Sequence, residues 1–353
     1  MSPADGTVTI PPGGFRRIAV LRLSSLGDVV LTLPVVHALR AAYPDAVIDY
    51  WVKEEFAPLL AHDPAITHVR ELERDARRIE DLVSMSAELE AHDLIVDLHA
   101  SARTRLLTFR QKARVLRVDS RRVERARWIH ARWSSPAPLP HVTERYAATL
   151  APIGVQVSGV PRVAVGAEAE SWARDERERL APGGACVALA PGAQHATKCW
   201  PEERWCELES RLAAMGVGRM LLSSPAERRG LTRLDAQVAA GHGATWYTGA
   251  LERAAALLGE VRVAVTHDSG LMHLAAARGR EVVALFGSTS PVLGFRPVGE
   301  AHTVICRDLP CQPCTLHGRE SCPLGHFRCM TTITVDEVLA AVHARLSGGG
   351  IGT

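Results

Sequence analysis

The chain has 353 residues, of which 47% are hydrophobic and 23% charged, and its 41 Lys and Arg against 39 Asp and Glu leave a net charge of +2. This composition excludes a disordered or collagen-like chain, and the length exceeds what one hydrophobic core usually serves, so two domains are expected. No apolar run approaches the ~18 residues of a membrane-spanning helix, and residues 1–15 lack the basic start and apolar stretch of a signal peptide. We therefore expect a cytoplasmic protein.

The first half of the chain alternates apolar strand patterns with helical patterns. A buried strand is predicted over 17–23, then a tight loop over 24–28, and then a helix with apolar residues at every third or fourth position. Further strands are predicted over 46–52 and 93–99, each followed by a stretch that can be helical. This alternation predicts a doubly wound α/β fold, with a parallel sheet and helices on both faces.

A second series of the same kind follows a Pro- and Gly-containing junction over 152–169. Its predicted elements are, in order, a strand over 186–192, a helix over 201–215, a strand over 218–224, a strand and loop over 262–270, a helix over 271–279 and a strand over 281–287. An amphipathic helix over 335–346 is expected to close the structure. Two Rossmann-like halves are the simplest account of this order.

The loop over 24–28 ends a predicted strand and opens a helix, where unpaired backbone N–H groups favour an anionic ligand. It lacks the G-x-G-x-x-G fingerprint, so a nicotinamide dehydrogenase loses its main support from the sequence. Asp28 in this loop has two interpretations. It is either a residue of the first helical turn with a capping role or a functional carboxylate at the carboxyl edge of the sheet.

A second strand-to-helix loop lies within 191–205. Gly192 permits close approach of the backbone, and Lys198 beside Thr197 suits a phosphate or the hydroxyls of a sugar. Pro201 is expected to set the start of the following helix. The alternative is a solvated loop that only caps this helix.

A third such loop lies within 266–277. Asp268 or Ser269 can cap the helix, Gly270 allows a ligand to approach the exposed N–H groups, and His273 lies one turn further on. Alone, this pattern also fits a capped core helix in which His273 packs inside.

Taken together, these motifs resemble glycosyltransferase family 9, the bacterial ADP-heptose:lipopolysaccharide heptosyltransferases. The resemblance rests on SSLGD (24–28), KCWPEERW (198–205), SSPAERR (223–229) and HDSGLMHLAAA (267–277), in this order, and extends over about 17–346. It implies the GT-B architecture, two facing Rossmann-like domains with an interdomain cleft.

The domains implied in this way are an acceptor-binding domain over 1–165, a nucleotide-sugar-binding domain over 166–334, and a closing helix and tail over 335–353.

The resemblance also implies roles for individual residues. Asp28 matches the family's acid in the Gly-Asp loop, the expected general base for the acceptor hydroxyl. Lys198, with Thr197 beside it, is expected to contact the donor phosphate or sugar, and Glu227 to hold the ribose hydroxyls of adenosine. The remaining donor-binding residues are expected to be Asp268, Ser269, Gly270 and His273. The expected acceptor-binding residues are Ser25, Gly27, Arg103 and Arg105.

The implied reaction inverts the anomeric centre in a single displacement, in which a base removes the acceptor proton while the nucleoside diphosphate leaves. Fixed N–H groups and Lys198 would stabilise the negative charge that grows on the diphosphate. The matched loops contain no Asp-x-Asp motif for a metal diphosphate, so we expect no required cofactor and no essential Mg²⁺.

The small net charge conceals a basic segment over 103–132. Eleven Lys and Arg face only Asp119 and Glu124 there, a local charge of +9. The segment is either a solvated face or a surface for an anionic partner. Such a partner could be the Kdo and phosphate groups of a lipopolysaccharide core or the inner face of the membrane, for which Trp128 and Trp133 are suited. Nucleic acid is not expected, because no recognisable binding fold accompanies the charge.

Five of the eight cysteines lie within 306–329. A C-x₂-C pair followed by two more cysteines suggests a structural Zn²⁺ or a cluster, with Cys311, Cys314, Cys322 and Cys329 as ligands and a histidine as a substitute. The second pair has the looser spacing C-x₆-C, and free thiols persist in a reducing cytoplasm, so the alternative is a segment without metal.

The leading hypothesis is an enzyme at the cytoplasmic membrane face that transfers heptose from ADP-heptose to a Kdo or heptose acceptor in the inner core of lipopolysaccharide. A nucleotide-sugar epimerase of similar two-domain fold is an alternative that needs no basic face. An inactive module that binds a sugar nucleotide or lipid is another, although the acids and the lysine of the motifs are intact.

Overall fold

The computed structural model of the chain describes residues 11, 13–72, 79–130 and 137–347, without the side chains of 79–82. By their contacts the described residues form two compact units. The first unit contains residues up to 121 together with 142–164, and the second contains 122–141 and the residues from 165 onward.

The first unit contains a five-stranded parallel sheet. Its strands are β1 (Arg17–Leu21), β2 (Val47–Lys53), β3 (His68–Leu72), β4 (Leu94–Asp97) and β5 (Arg114–Arg117). They lie in the order β3-β2-β1-β4-β5. Its helices are α1 (Leu26–Leu31), α2 (Leu33–Ala42), α3 (Ile79–Leu89), α4 (Ala102–Thr108) and α6 (Val142–Ala148). The helix between the last two in the chain, α5 (Arg122–His130), belongs to the second unit. The doubly wound parallel sheet predicted for this half is confirmed.

The central strands of this sheet are those that the sequence predicts. β1, β2 and β4 are almost completely buried, and their apolar residues pack with Met85 and Leu89 of α3 and Leu107 of α4. β3 and β5 lie at the two edges and are partly exposed, so they carry charged residues and lack a continuous apolar run.

The second unit contains a six-stranded parallel sheet. Its strands are β6 (Cys186–Ala190), β7 (Gly218–Leu222), β8 (Ala244–Tyr247), β9 (Val263–His267), β10 (Glu281–Leu285) and β11 (Thr303–Ile305). They lie in the order β11-β10-β9-β6-β7-β8. The predicted strands correspond to β6, β7, β9 and β10, whereas the partly exposed β8 and the three-residue β11 lie at the edges.

The second unit also contains helices. Besides α5, they are α7 (Ala167–Leu180), α8 (Glu202–Ala214), α9 (Pro225–Arg229), α10 (Thr232–Ala240), α11 (Leu251–Glu260), α12 (Gly270–Ala277), α13 (Arg328–Thr331) and α14 (Val335–Ser347). The closing helix, whose partner the sequence does not indicate, is α14. It packs on α8, β9 and β10 through Val335, Val338 and Val342. Short 3₁₀ turns are found at Glu54–Leu59, Ala151–Ile153, Ala196–Lys198 and Pro291–Leu293.

The division into units differs in two places from the domains expected from the sequence, one of which is that the closing helix belongs to the second unit. The main boundary lies between 164 and 165, next to the boundary expected at 165. Residues 122–141, however, belong to the second unit. Two contacts show why: the Leu139 N–H donates to Val292 O at 2.9 Å, and His141 Nε2 lies 2.9 Å from Arg296 O. The basic segment 103–132 is therefore divided between the units.

A buried ion pair holds the second unit together beside its sheet. Arg219 on β7 donates to Glu209 of α8 at 2.9 and 2.7 Å, and both side chains are only 4% exposed. A third guanidinium nitrogen, Nη1, donates to Val217 O at 3.0 Å and to Gly243 O at 3.1 Å. The guanidinium thus joins α8 and β7 to the chain that enters β8.

Removal of one charge of this pair should be strongly destabilising. In Glu209→Ala, Arg219 stays buried without its counter-charge, and we expect unfolding to become easier by about 3–5 kcal/mol in a urea titration. The control is Glu207→Ala on the same helix, which removes an exposed pair with Arg211 and should change stability by at most about 1 kcal/mol. Equal effects of the two substitutions would contradict the structural role of Arg219 and Glu209.

Candidate functional site

The candidate site residues of the first unit lie where its sheet changes direction of winding. The chain crosses from β1 to β2 on one side and from β4 to β5 on the other, so the loops after β1 and β4 diverge at the carboxyl edge. Open α/β sheets bind their ligands in this type of crevice. Arg22, directly after β1, donates to Leu98 O after β4 at 2.7 Å and joins the two loops.

Asp28 lies at this edge, in the first turn of α1, and its carboxylate is held from three directions. Tyr146 of α6 donates its hydroxyl to Oδ1 at 2.8 Å. Ser25 donates to Oδ2 at 3.1 Å, and Arg22 forms a close ion pair with the same oxygen. The Asp28 side chain remains 18% exposed, so the carboxylate is both fixed in orientation and accessible.

The groups around Asp28 have defined protonation states. Burial lowers the pKa of Arg22, but the charge of Asp28, together with Tyr146, Tyr50 and the hydrogen bond to Asp28, outweighs burial and raises the pKa, so the guanidinium is charged. Burial raises the pKa of Tyr146 well above its usual value, which keeps the phenol a proton donor. Burial and the charge of Arg22 lower the pKa of His99, in the loop after β4, to about 4. The carboxyl edge of the first sheet therefore combines one carboxylate, one guanidinium and a neutral imidazole.

The expected acceptor-binding residues occupy the same edge of this sheet. Gly27 is buried in α1, next to Asp28. α4 begins directly after the β4 loop with a capping box formed by Ser101 and Thr104. This places Arg103 in the first turn of α4, half-buried, and Arg105 exposed two residues further on.

The exposed side of α4 and the two residues that follow the helix combine basic and apolar side chains. We call Arg105, Leu106, Phe109 and Arg110 the α4 face. Leu106 is 65% and Phe109 82% exposed, and both arginines are exposed. Trp128, which the sequence also suggests for an interface, is half-buried in α5, and its indole N–H donates to Ala137 O at 3.1 Å. Trp133 lies outside the described residues.

The second unit has its own change of winding, between β6 and β9. The loops that follow these strands are the second and third loops predicted from the sequence, and they lie side by side. Lys198 Nζ is 2.8 Å from Asp268 Oδ2, with only 14% and 11% of the two side chains exposed. Thr289, after β10, donates to the same carboxylate oxygen at 2.7 Å. Asp268 therefore holds Lys198 at the carboxyl edge of the sheet.

Buried aromatic rings position the loop that carries Lys198. The Trp200 N–H donates to His267 Nε2 at 2.8 Å, and His267 Nδ1 lies 3.2 Å from Gly192 O. The indole of Trp200 donates to Ile333 O at 3.0 Å and packs edge-on against Trp205. Burial lowers the pKa of His267 to about 4, so the ring stays neutral and accepts the Trp200 N–H.

Glu227 adjoins this loop from the start of α9. Its Oε2 accepts the Ser224 N–H at 2.8 Å, and its own N–H donates to Ser224 Oγ at 3.2 Å, which forms a capping box. A Cβ at Gly192 would lie only 2.6 Å from Glu227 Cδ, so glycine is required where the two loops meet. The structure thus brings Glu227 beside the Lys198 loop.

The remaining expected donor residues lie at the start of α12. Ser269 is its N-cap residue but makes no side-chain cap, and Ser269 Oγ is buried without a hydrogen-bond partner in the described part of the chain. Gly270 begins the helix, and His273 is buried one turn later. The start of α12 therefore presents backbone N–H groups beside Asp268.

Thr197, predicted beside Lys198 as a donor contact, is only 2% exposed. Its hydroxyl accepts the Arg319 N–H at 2.8 Å and lies 2.9 Å from Ser288 Oγ. Its N–H donates to Arg319 O at 3.0 Å. Thr197 thus joins the Lys198 loop to the cysteine-rich segment.

All eight cysteines lie in the described part of the chain, and none forms a disulfide. Burial raises the pKa of Cys329 to about 12, and the thiols of Cys311, Cys314 and Cys322 raise it as well. Partial burial raises the pKa of Cys322. The backbone N–H groups of Phe327, Leu324, Gly325 and His326 together outweigh this effect, so the pKa of Cys322 is lowered.

Several residues in the two sites have no local signal in the sequence. Tyr146 lies 118 residues from Asp28, and only the packing of α6 brings it there. Thr289, in the loop after β10, reaches Asp268 only because β10 pairs with β9. Arg22 does carry a signal, because it is a charged residue at the end of an otherwise apolar strand pattern.

A family model described as glycosyltransferase family 9 (heptosyltransferase) matches residues 83–324. Lipopolysaccharide heptosyltransferase 1 of Pseudomonas aeruginosa is 30% identical over 324 residues, which cover 84% of this chain and 86% of that protein.

A family 9 glycosyl transferase from Veillonella parvula aligns with a TM-score of 0.75 at 21% identity, over 95% of this chain and 98% of that one. The ADP-heptose lps heptosyltransferase II of E. coli aligns with a TM-score of 0.70 at 23% identity, over 94% and 98%. At these identities the structural similarity establishes the fold.

The opposite pKa shifts of two histidines predict distinct titrations. The hydrogen bond that His37 donates to Asp63 raises the pKa of His37, whereas burial lowers the pKa of His267 to about 4. By NMR we expect His37 to protonate above pH ~6.5 and His267 only near pH 4. The unfolded chain binds a proton at position 267 that the folded chain does not, so this residue's contribution to stability should decline between pH ~6.5 and 4. Protonation of both rings at one pH would contradict the burial of His267.

Proposed function

The chain belongs to glycosyltransferase family 9, and we propose that it transfers heptose from ADP-heptose to a Kdo or heptose residue in the inner core of lipopolysaccharide. It is a glycosyltransferase of the GT-B fold class with two Rossmann-like units, as the sequence predicts. The observation that carries the proposal is the position of the Asp28 carboxylate, held in orientation at the change of winding of the first sheet.

Asp28 is proposed as the general base. In an inverting displacement the acceptor hydroxyl attacks the anomeric carbon, the base takes its proton, and the nucleoside diphosphate leaves from the opposite face. The contacts from Tyr146, Ser25 and Arg22 support this role because they fix the carboxylate, and each carboxylate oxygen has more than one lone pair. The Tyr146 phenol and the Arg22 guanidinium do not compete for the proton, since both stay protonated.

The donor is proposed to bind at the carboxyl edge of the second sheet. The Lys198 ammonium and the N–H groups at the start of α12 supply positive charge for a diphosphate. Ser269 Oγ, buried and unpartnered among the described residues, can donate to a phosphate oxygen. Because Asp268, itself held by Thr289, already positions the Lys198 ammonium, this charge would stabilise the leaving diphosphate without reorganisation. Glu227 is proposed to hold the ribose of adenosine.

The acceptor is proposed to bind the first unit through Ser25, Gly27, Arg103 and Arg105. Inner-core sugars carry carboxylates and phosphates, and Arg103 on the first turn of α4 lies at the same sheet edge as Asp28. Guanidinium groups bind such anions with paired hydrogen bonds. An anionic acceptor therefore fits the positive charge of this edge better than a neutral sugar.

The α4 face is proposed to rest on the anionic inner surface of the cytoplasmic membrane. Its exposed Leu106 and Phe109 can enter the interface while Arg105 and Arg110 pair with lipid phosphates. A lipid-linked acceptor would be reached from this position. Within the described residues, no helix has the length and apolarity to cross a bilayer.

Substitution of the proposed base separates binding from chemistry. Asp28→Asn should keep ADP-heptose binding within a few-fold while the transfer rate falls by about 10²–10⁴-fold, because the amide cannot accept the proton. Glu54→Gln, an exposed acid of the same unit, is the matched control and should transfer normally. The rate is read from the mass of the product with Kdo-lipid A or heptosyl-Kdo-lipid A as acceptor.

Several outcomes of this assay would contradict the proposal. Full turnover by Asp28→Asn would remove Asp28 from the role of base. Consumption of another nucleotide sugar, with no sugar moved to either acceptor, would show that the heptosyl assignment is wrong. Conversion of the donor to an isomer without any acceptor would favour an epimerase.

Membrane binding by the α4 face can be measured by co-sedimentation with vesicles. The double substitution Leu106→Ser and Phe109→Ser should weaken binding to vesicles rich in anionic lipid by at least about tenfold, because each side chain loses apolar area from the interface. Val160→Ser, an exposed apolar residue of the first unit outside this face, is the control. Unchanged binding of the double variant would exclude the α4 face as the contact surface.

A further inference from the structure

Residues 306–327, between β11 and α13, contain no helix or strand. Loops longer than about 12–15 residues without secondary structure are uncommon in compact domains and need other interactions to hold them. This segment, together with the start of α13, carries four cysteines around one cavity. We propose that Cys311, Cys314, Cys322 and Cys329 bind one structural divalent metal ion, Zn²⁺ or Fe²⁺, which holds this loop against the loop that carries Lys198.

The four thiols share one cavity. Its volume is 410 Å³, and its wall includes all four cysteines together with His326 and Phe327. Cys311 Sγ and His326 Nε2 are 3.8 Å apart across it. None of the four cysteines forms a disulfide, although they lie together. A cluster of thiols with one histidine is the donor set that Zn²⁺ and Fe²⁺ prefer.

Cys322 begins a sharp turn of the loop. The Gly325 N–H donates to Cys322 O at 3.0 Å, and Gly325 lies in the left-handed region at φ +70°. The turn keeps Cys322 in the wall of the cavity together with Leu324 and His326. Arg319, whose Nη2 donates to Cys314 O at 3.3 Å, supplies positive charge nearby.

Binding requires the thiols to turn toward one another. Nowhere in the described ranges do three His, Cys, Asp or Glu side chains already surround one point as metal ligands. A tetrahedral thiolate site places sulfur about 2.3 Å from the metal. All four cysteines line this cavity, so their side chains would turn into it to reach one ion.

The ion would act on the donor loop through two backbone links. In the first, the Arg319 N–H donates to the Thr197 hydroxyl at 2.8 Å, and the Thr197 N–H donates to Arg319 O at 3.0 Å. In the second, the Cys314 N–H donates to Ser288 O at 2.9 Å. A Cβ at Gly318 would lie 2.4 Å from His195 Cβ, so the two loops are in close contact. Thr197 directly precedes Lys198. This consequence, unlike metal binding itself, rests on the proposed donor site.

The test uses the full-length protein, produced in medium that contains zinc and iron and analysed for both elements. We expect about one ion per chain. Cys314→Ser and Cys322→Ser should each retain close to none, whereas Cys206→Ser, a thiol of α8 outside the cavity, should retain the full amount. After chelation, addition of Co²⁺ should produce the thiolate charge-transfer and tetrahedral ligand-field bands. These measurements on the wild-type chain keep the test valid if a cysteine variant does not fold.

Three results would overturn the proposal: wild-type protein that binds no zinc, iron or cobalt, loss of metal equally in Cys206→Ser, or a disulfide among the four cysteines. Metal content is measured without donor or acceptor. Loaded protein that transfers no heptose would therefore refute only the proposed function.

The link to the donor loop has its own test. Removal of the ion should weaken ADP binding about tenfold, which is the scale of effect seen when an outer support of a site is lost. Unchanged ADP affinity would refute only the link to Lys198.

Discussion

Parallel strands release the chain at one edge of a sheet, and a crevice forms at that edge where neighbouring strands send the chain to opposite sides. Each unit of this protein has one such place, between β1 and β4 in the first and between β6 and β9 in the second. Asp28 lies at one and the Lys198 and Asp268 pair at the other. The position of every proposed functional group depends on this feature of parallel sheets.

Both edges hold a carboxylate in the same physical manner. Asp28 is fixed by a guanidinium and two hydroxyls, and Asp268 by an ammonium and one hydroxyl. Each is partly buried, so the attraction to its cation is screened less than it would be in water. The oriented charges suit reactions in which charge moves during the transition state, because the surrounding groups need not rearrange. The neutral rings of His99 and His267 add shape and hydrogen bonding without further charge.

Much of the fold was predictable because the central strands are buried on both faces. β1, β4, β6 and β9 therefore read as continuous apolar runs, and the loops after β1, β6 and β9 carry three of the motifs. The edge strands β3, β5 and β8 were not predicted, since partial exposure allows polar residues there. In the same way Asp28 and Lys198 were identified from their loops, whereas Tyr146, from a distant helix, was not.

The sequence by itself determined the order of strands and loops, the family, and the residue types offered at each sheet edge, because these follow from local patterns along the chain. Only the tertiary structure decided which of these residues meet. It paired Arg22 with Asp28, turned Thr197 toward Arg319 inside the protein, and divided the basic segment between the units. The reason is that strand pairing and crossover connections bring together residues far apart in the chain, and a hydrogen bond or ion pair depends on distance in space.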